Sequence, residues 1–229
     1  PRNPGYDELA ALLVPPTWPP AESVNAAIAR FIAERGELAF QAAVSRGQYE
    51  HPEGLFFGGH DPTWSHVALR HALHDHASRC RRLAWIDIHT GLGPEGHGER
   101  IFAGRDDDRA ALGRAKSWWG DAVTATADGS SNSAPLVGQI FWAAYEECPQ
   151  AEYTGIALEF GTVPIMQGLQ ALRADQWLEN HPETEPALRD SIKRSMRDSF
   201  YIDTDAWKAR ILAQAFDAGH AALRGLSAA

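Results

Sequence analysis

Residues 84–93 read AWIDIHTGLG. Residues 84–88 are apolar apart from Asp87 and rich in strand formers, which predicts a buried strand. That strand runs directly into His89, and a glycine-rich turn follows at once. In an open α/β sheet, ligands and catalytic groups gather at the carboxyl ends of strands. Residues 156–162, IALEFGT, repeat the design: an apolar strand ends on Glu159, and Gly161 follows. A histidine and a carboxylate presented in this way point to a hydrolytic site with a metal.

Position is what singles these two residues out, since an isolated histidine is more often an ordinary surface or core residue. Side chains alternate along a strand, so Asp87 and His89 share a face. A carboxylate beside a ligating imidazole orients it. A charge inside so apolar a strand also demands a partner. Glu159 has a structural alternative, a buried carboxylate paired with an arginine. A glutamate desolvated at a strand end, however, has the raised pKa that a general base requires.

Composition excludes several classes. The chain has 229 residues, 44% of them hydrophobic, which is ample for a packed core and fits one domain over 1–229. The 21 basic residues against 30 acidic ones give a net charge of −9, with no Lys/Arg block, so no nucleic-acid surface is expected. Cys80 and Cys148 are the only cysteines and form no CxxC. A reducing, cytoplasmic setting is therefore the expectation. No apolar run approaches the ~20 residues that span a bilayer, and no signal-peptide pattern is visible. The opening, PRNPGYDEL, reads like the middle of a loop and suggests that sequence precedes it.

Along the chain, residues 1–21 hold six prolines and predict an irregular lead-in. Residues 21–44 predict one helix, on the 3.6 period of Val24, Ala27, Ile28, Phe31 and Ile32. Residues 47–62 predict a long loop, and 63–79 a helix capped by Thr63 or Ser65. Residues 83–88 and 153–160 are the two strong strands. Between them lie an expected glycine-rich loop over 91–104, a helix over 107–120 and a short strand over 123–127. A turn or mobile loop is expected over 128–134 and a helix over 136–148. Residues 164–179, 185–199 and 203–223 predict three more helices. So much helix for two strands suggests that strands are missing upstream.

Other motifs are weaker. Gly91, Gly93 and Gly96 spell GxGxxG after a strand, but Pro94 and Glu95 lie within it and no apolar helix follows, so a dinucleotide site is not expected. His97 and Glu99 are read as part of a solvated loop. His71, His74 and His76 crowd one helix without a completing ligand and read as surface residues. GxSxG is absent, which argues against a serine hydrolase. Trp64, Trp118, Trp119 and Trp142 read as core or groove aromatics. His51 and His60 lie within the 47–62 loop, and neither sits at ligand spacing to a second donor.

Taken together, these segments resemble known proteins. IDIHTGLG is similar to the strand of zinc carboxypeptidases that carries their third zinc ligand, and ALEFGT resembles the strand carrying their catalytic glutamate. NPGYDEL, GQYEHPEGLFFGG, PTWSHVALR and LGPEGHGER resemble a bacterial carboxypeptidase-like family, domain of unknown function 2817, from about residue 3 to beyond residue 162. The resemblance implies an α/β fold, a mixed sheet flanked by helices of the phosphorylase/hydrolase-like carboxypeptidase type. It implies zinc as cofactor, His89 as a metal ligand, and Glu159 as the general base. The substrate would be a peptide or an acylated amino acid, cleaved at an amide bond. The family's other two ligands come from a His-x-x-Glu motif, and its substrate arginine from an Asp-Leu-Asn-Arg-Asn segment. Both precede the NPGYDEL region there, and neither occurs in this chain. The expectation is therefore the C-terminal portion of a longer enzyme, lacking its N-terminal strands, incomplete and inactive alone. The rival expectation is a degenerate, non-catalytic interaction domain that keeps the fold.

Overall fold

The structure, a computed structural model, describes residues 2–228. The chain folds as two compact units. The first comprises Pro1–Asp61, Ala134–Val137 and Pro164–Tyr201; the second comprises Pro62–Ser133, Gly138–Val163 and Ile202–Ala229.

The first unit is helical, with α1 (Pro4–Leu13), α2 (Glu22–Arg35), α3 (Glu37–Ser45), α7 (Ile165–Glu179) and α8 (Pro186–Phe200). Helix α1 overturns the expected irregular lead-in. Asn3 caps it, its side chain accepting from the Tyr6 amide, and Pro4 occupies the first turn, where a missing N–H costs nothing. Tyr6, Leu9 and Leu13 then line one buried face against Ile28, Phe40 and Val44. The single helix expected over 21–44 is two. Gly36 stands between them at φ 87°, a left-handed conformation that ends α2 and starts α3. Arg173 on α7 is fully buried. Its Nε and Nη2 donate to the Leu13 and Leu12 carbonyls at 2.9 and 2.7 Å, satisfying the end of α1.

The second unit is a mixed sheet between helices. It holds α4 (Trp64–Ala77), β1 (Arg82–Glu95), β2 (Gly98–Phe102), α5 (Arg109–Trp119), α6 (Trp142–Glu147), β3 (Glu152–Gly161) and α9 (Asp205–Ser227). The strand order is β1-β3-β2, with β1 parallel and β2 antiparallel to β3. One sheet face carries Ile156, Leu158, Phe160 and Phe102, buried against Ala111, Ala115 and Trp119 of α5 and Ala218, Ala221 and Ala222 of α9. On the other face Tyr153 and Ala103 are buried with Leu73 of α4 and Ala143 and Ala144 of α6.

β2 lies inside the stretch read as a glycine loop, so the described residues hold three strands rather than two. The pairing that makes Gly98–Phe102 a strand is with β3, about 60 residues away in sequence, which local patterns do not register. The expected strand at 123–127 reduces to a single bridge, Ile101 to Thr124. The helix expected over 136–148 contracts to six residues. β1 is less buried than expected: residues 82–87 are half-buried and Ile88 is exposed. It is an outer strand, paired on one side only among the described residues. Of the tryptophans read as core or groove residues, Trp119 is buried but Trp64 is 83% exposed. No helix among the described residues is long and apolar enough to cross a membrane.

Candidate active site

The site follows from strand register. His89 and Glu159 are direct partners on the parallel pair β1–β3, and Glu99 on β2 is the partner of Glu159 from the other side. A row His89–Glu159–Glu99 therefore crosses the sheet. By alternation it lies on the face that carries Trp85, four residues before His89, and Tyr153, six residues before Glu159. The two residues singled out in the sequence meet near the close of the parallel β1–β3 pairing, which runs to Gly91 and Gly161. β1 itself continues to Glu95, past the strand end expected at Ile88, so His89 is mid-strand rather than terminal.

The His89 ring is half exposed and has a carboxylate beside each nitrogen. Nε2 lies 3.1 Å from Asp87 Oδ1, and Nδ1 lies 3.8 Å from Glu159 Oε2. The hydrogen bond to Asp87 holds its pKa above the ordinary 6.5; burial works against it, and the charges of Asp87 and Glu159 assist. With Nε2 engaged, Nδ1 is the nitrogen turned to Glu159, and Asp87 fixes that orientation.

Glu159 is the buried member, its side chain 11% exposed. Burial pushes its pKa above 4.5; the Leu92 N–H and His89 oppose this, while Glu99 and Asp87 add to it. The Leu92 amide donates to Oε1 at 2.9 Å, leaving Oε2 toward His89. The glycine turn makes this possible. Gly93, at φ 100°, bends the chain back over the strand ends, and Gly161 has no side chain to block it.

Glu99 is the residue that sequence reasoning missed. Read as part of a solvated loop, it is 6% exposed. Its Oε1 accepts from Thr124 Oγ1 at 2.6 Å and from the Asn132 amide at 3.2 Å, and its Oε2 accepts from Asn132 Nδ2 at 2.9 Å. These bonds pin the 128–134 segment, for which the sequence predicts a turn or mobile loop. The only sequence signal was the short apolar run Ile101-Phe102-Ala103 behind it. His97, by contrast, is exposed, as are His71, His74 and His76 on α4. In the first unit, His51 Nε2 meets Asp7 Oδ1 at 2.9 Å.

Burial raises the pKa of Glu99, but the hydrogen bonds from Thr124, Asn132 and Ser131 outweigh it and hold the carboxyl below 4.5. A depressed carboxylate stabilises the fold fully above its unfolded pKa and loses that contribution as pH falls through the folded value. Glu99→Gln is expected to cost about 1–3 kcal/mol at neutral pH, with the gap to the parent closing below pH 4.5. Urea denaturation at several pH values measures this. A gap that stays constant down to pH 3 (roughly one to two units below an ordinary carboxyl pKa) would remove the titration from Glu99.

A catalytic zinc takes about three protein ligands. Among the described residues no group of three or more His, Cys, Asp or Glu is placed to hold a metal ion. His89, oriented by Asp87, suits one ligand position. The described residues thus fit one ligand of such a site and do not complete it.

Residues 1–214 match the family "Protein of unknown function (DUF2817)". The chain belongs to that family. The match covers both strands of the candidate site, the glycine turn and the Glu99 loop, and its description carries no activity. No curated protein and no solved structure matches the chain.

Proposed function

We propose that this member of the family is the C-terminal part of the catalytic domain of a zinc-dependent hydrolase that cleaves an amide bond, of the carboxypeptidase-like or acyl-amino-acid deacylase-like kind. The observation that carries the reading is the register of His89 with Glu159 on two parallel strands, with Nδ1 turned to Oε2 at 3.8 Å and Nε2 held by Asp87. When bound, zinc supplies a water of pKa about 7 and polarises the scissile carbonyl. His89 is the ligand this chain contributes. Glu159, buried and with a raised pKa, would serve there as the general base, taking a proton from the water and giving it to the leaving amine. The Leu92 N–H holds Oε1, which leaves Oε2 toward His89, the side on which a metal-bound water would sit. The carboxypeptidase-like fold belongs to this proposal, resting on the mixed sheet and on the similarity of IDIHTGLG and ALEFGT to those strands.

The reading requires two further ligands from outside these residues, and the chain alone is expected to be inactive. After dialysis the 229-residue chain should retain well under one zinc per molecule, since one imidazole gives weak, exchangeable binding. Stoichiometric zinc that disappears in His89→Ala would show that the chain completes its own site and overturn the incomplete-site reading. The longest encoded form should bind zinc, lose it in His89→Ala, and hydrolyse short peptides or N-acyl amino acids. A longest form that neither holds zinc nor hydrolyses either substrate class would sink the proposal. The absence of a three-donor group among the described residues favours one other reading, a non-catalytic interaction domain in which His89 and Glu159 are remnants. That second reading predicts the same inert result for every form of the protein.

A further inference from the structure

At the opposite end of the same sheet lies a cavity of about 380 Å³, lined by Arg82, Arg114, Ser117, Trp118, Glu152 and Arg224, with Gly225 beside them. Arg82 and Glu152 open β1 and β3 and are register partners. His89 is seven residues further along β1, roughly 23 Å at strand rise, so the cavity is separate from the candidate active site. α5 contributes Arg114 and Trp118, and α9 contributes Arg224.

Three guanidiniums at one cavity need a reason in a chain of net charge −9. Two of them are fixed in place. Arg114 Nε donates to Thr154 Oγ1 at 3.0 Å, Nη2 to the Tyr153 carbonyl at 2.8 Å, and Nη1 lies 3.5 Å from Glu152 Oε2. Arg82 Nη1 donates to the Ala228 carbonyl at 3.0 Å, and its Nε and Nη2 have no hydrogen-bond partner among the described residues. The Arg224 guanidinium has no hydrogen bond or ion pair among the described residues. With Glu152 as the one carboxylate among the described lining residues, they carry two positive charges in excess. Holding like charges around a concave surface is unfavourable unless an anion joins them.

We propose that this cavity binds a phosphate monoester. A phosphate monoester carries nearly two negative charges at neutral pH and offers three acceptor oxygens, matching the two uncompensated charges. A carboxylate would neutralise only one. Guanidinium forks suit phosphate oxygens, and the free edges of Arg82 and Arg224 supply them. The volume lies within the range of small-molecule pockets, about 300–1,000 Å³. Trp118 provides an apolar wall for the organic group. Gly225 lets α9 lie against that indole: a Cβ there would meet Trp118 at 2.3 Å. The proposal does not rest on the hydrolase reading.

The test is isothermal titration calorimetry of the 229-residue chain with phenyl phosphate, inorganic phosphate and benzoate at low salt. Phenyl phosphate is expected to bind with Kd below about 1 mM. Inorganic phosphate, lacking the ring, and benzoate, lacking the second charge, should each bind at least about fivefold more weakly. Arg224→Ala should weaken phenyl phosphate at least about tenfold, and Arg224→Glu should abolish it. Arg224 is exposed on a helix surface, so both variants are expected to keep the parent's melting temperature. His89→Ala should bind like the parent. The proposal fails if phenyl phosphate shows no heat up to about 10 mM, if inorganic phosphate or benzoate binds as well as phenyl phosphate, or if Arg224→Ala keeps the parent affinity.

Discussion

Replacing Glu159 by glutamine in the zinc-loaded, longest form of the protein is expected to cut turnover by about 10²–10⁴-fold, or roughly 3–5 kcal/mol of transition-state stabilisation. Metal content should stay at the parent level. Glutamine has nearly the same shape, so its carbonyl oxygen can still accept from the Leu92 amide as Oε1 does at 2.9 Å. What it lacks is proton affinity. Burial raises the basicity of the Glu159 carboxylate, and an amide in its place has none to offer. The measurement pairs steady-state turnover with metal analysis on one preparation. Turnover within a factor of a few of the parent would remove Glu159 from proton transfer. Loss of the metal would make it a ligand instead.

The second large effect is expected at Gly161, and it bears on stability. A Cβ at that position would lie 2.1 Å from the Pro94 carbonyl oxygen and 2.3 Å from that of Gly93. Both are backbone atoms, so no side chain can rotate away. The obstructed segment is also tied down: the Gly96 amide donates to the Gly161 carbonyl at 2.9 Å, and Thr162 Oγ1 donates to the Gly91 carbonyl at 3.1 Å. Gly161→Ala is expected to cost about 3 kcal/mol, the upper end of overpacking. It should also lift the turn that carries Leu92 away from Glu159. Chemical denaturation measures the first effect, and faster exchange of the Leu92 amide measures the second. A loss under about 0.5 kcal/mol, ordinary for a surface change, would show that the turn yields without cost.

How far each part of the molecule was legible depends on the distance over which its causes act. The helix ends at Thr63, Glu185 and Thr204 are written locally, because each side chain accepts from an amide three residues on. α8 accordingly lies within a residue of its sequence-predicted limits, and α7, which starts after Pro164 without a side-chain cap, does so too. α1 was hidden by its prolines, although Asn3 followed by Pro4 is a local start signal. The break at Gly36 was hidden by an apolar period that runs on through it.

The sequence by itself determined the two principal strands, the shared face of Asp87 and His89, and the placing of Glu159 near a strand end, whereas β1 runs on to Glu95, six residues past His89. Each follows from a period of two and from the abrupt change from apolar residues to glycine. Only the tertiary structure decided that the two strands are parallel neighbours in the register that sets His89 opposite Glu159. It also made Gly98–Phe102 a strand, buried Glu99 and tied the 128–134 loop to it. Likewise, Arg82, Arg114 and Arg224, spread over more than 140 residues, line one cavity only once β1, α5 and α9 have assembled. Strand pairing and the desolvation of a carboxylate depend on partners brought from far along the chain, and no local pattern encodes which partners those are.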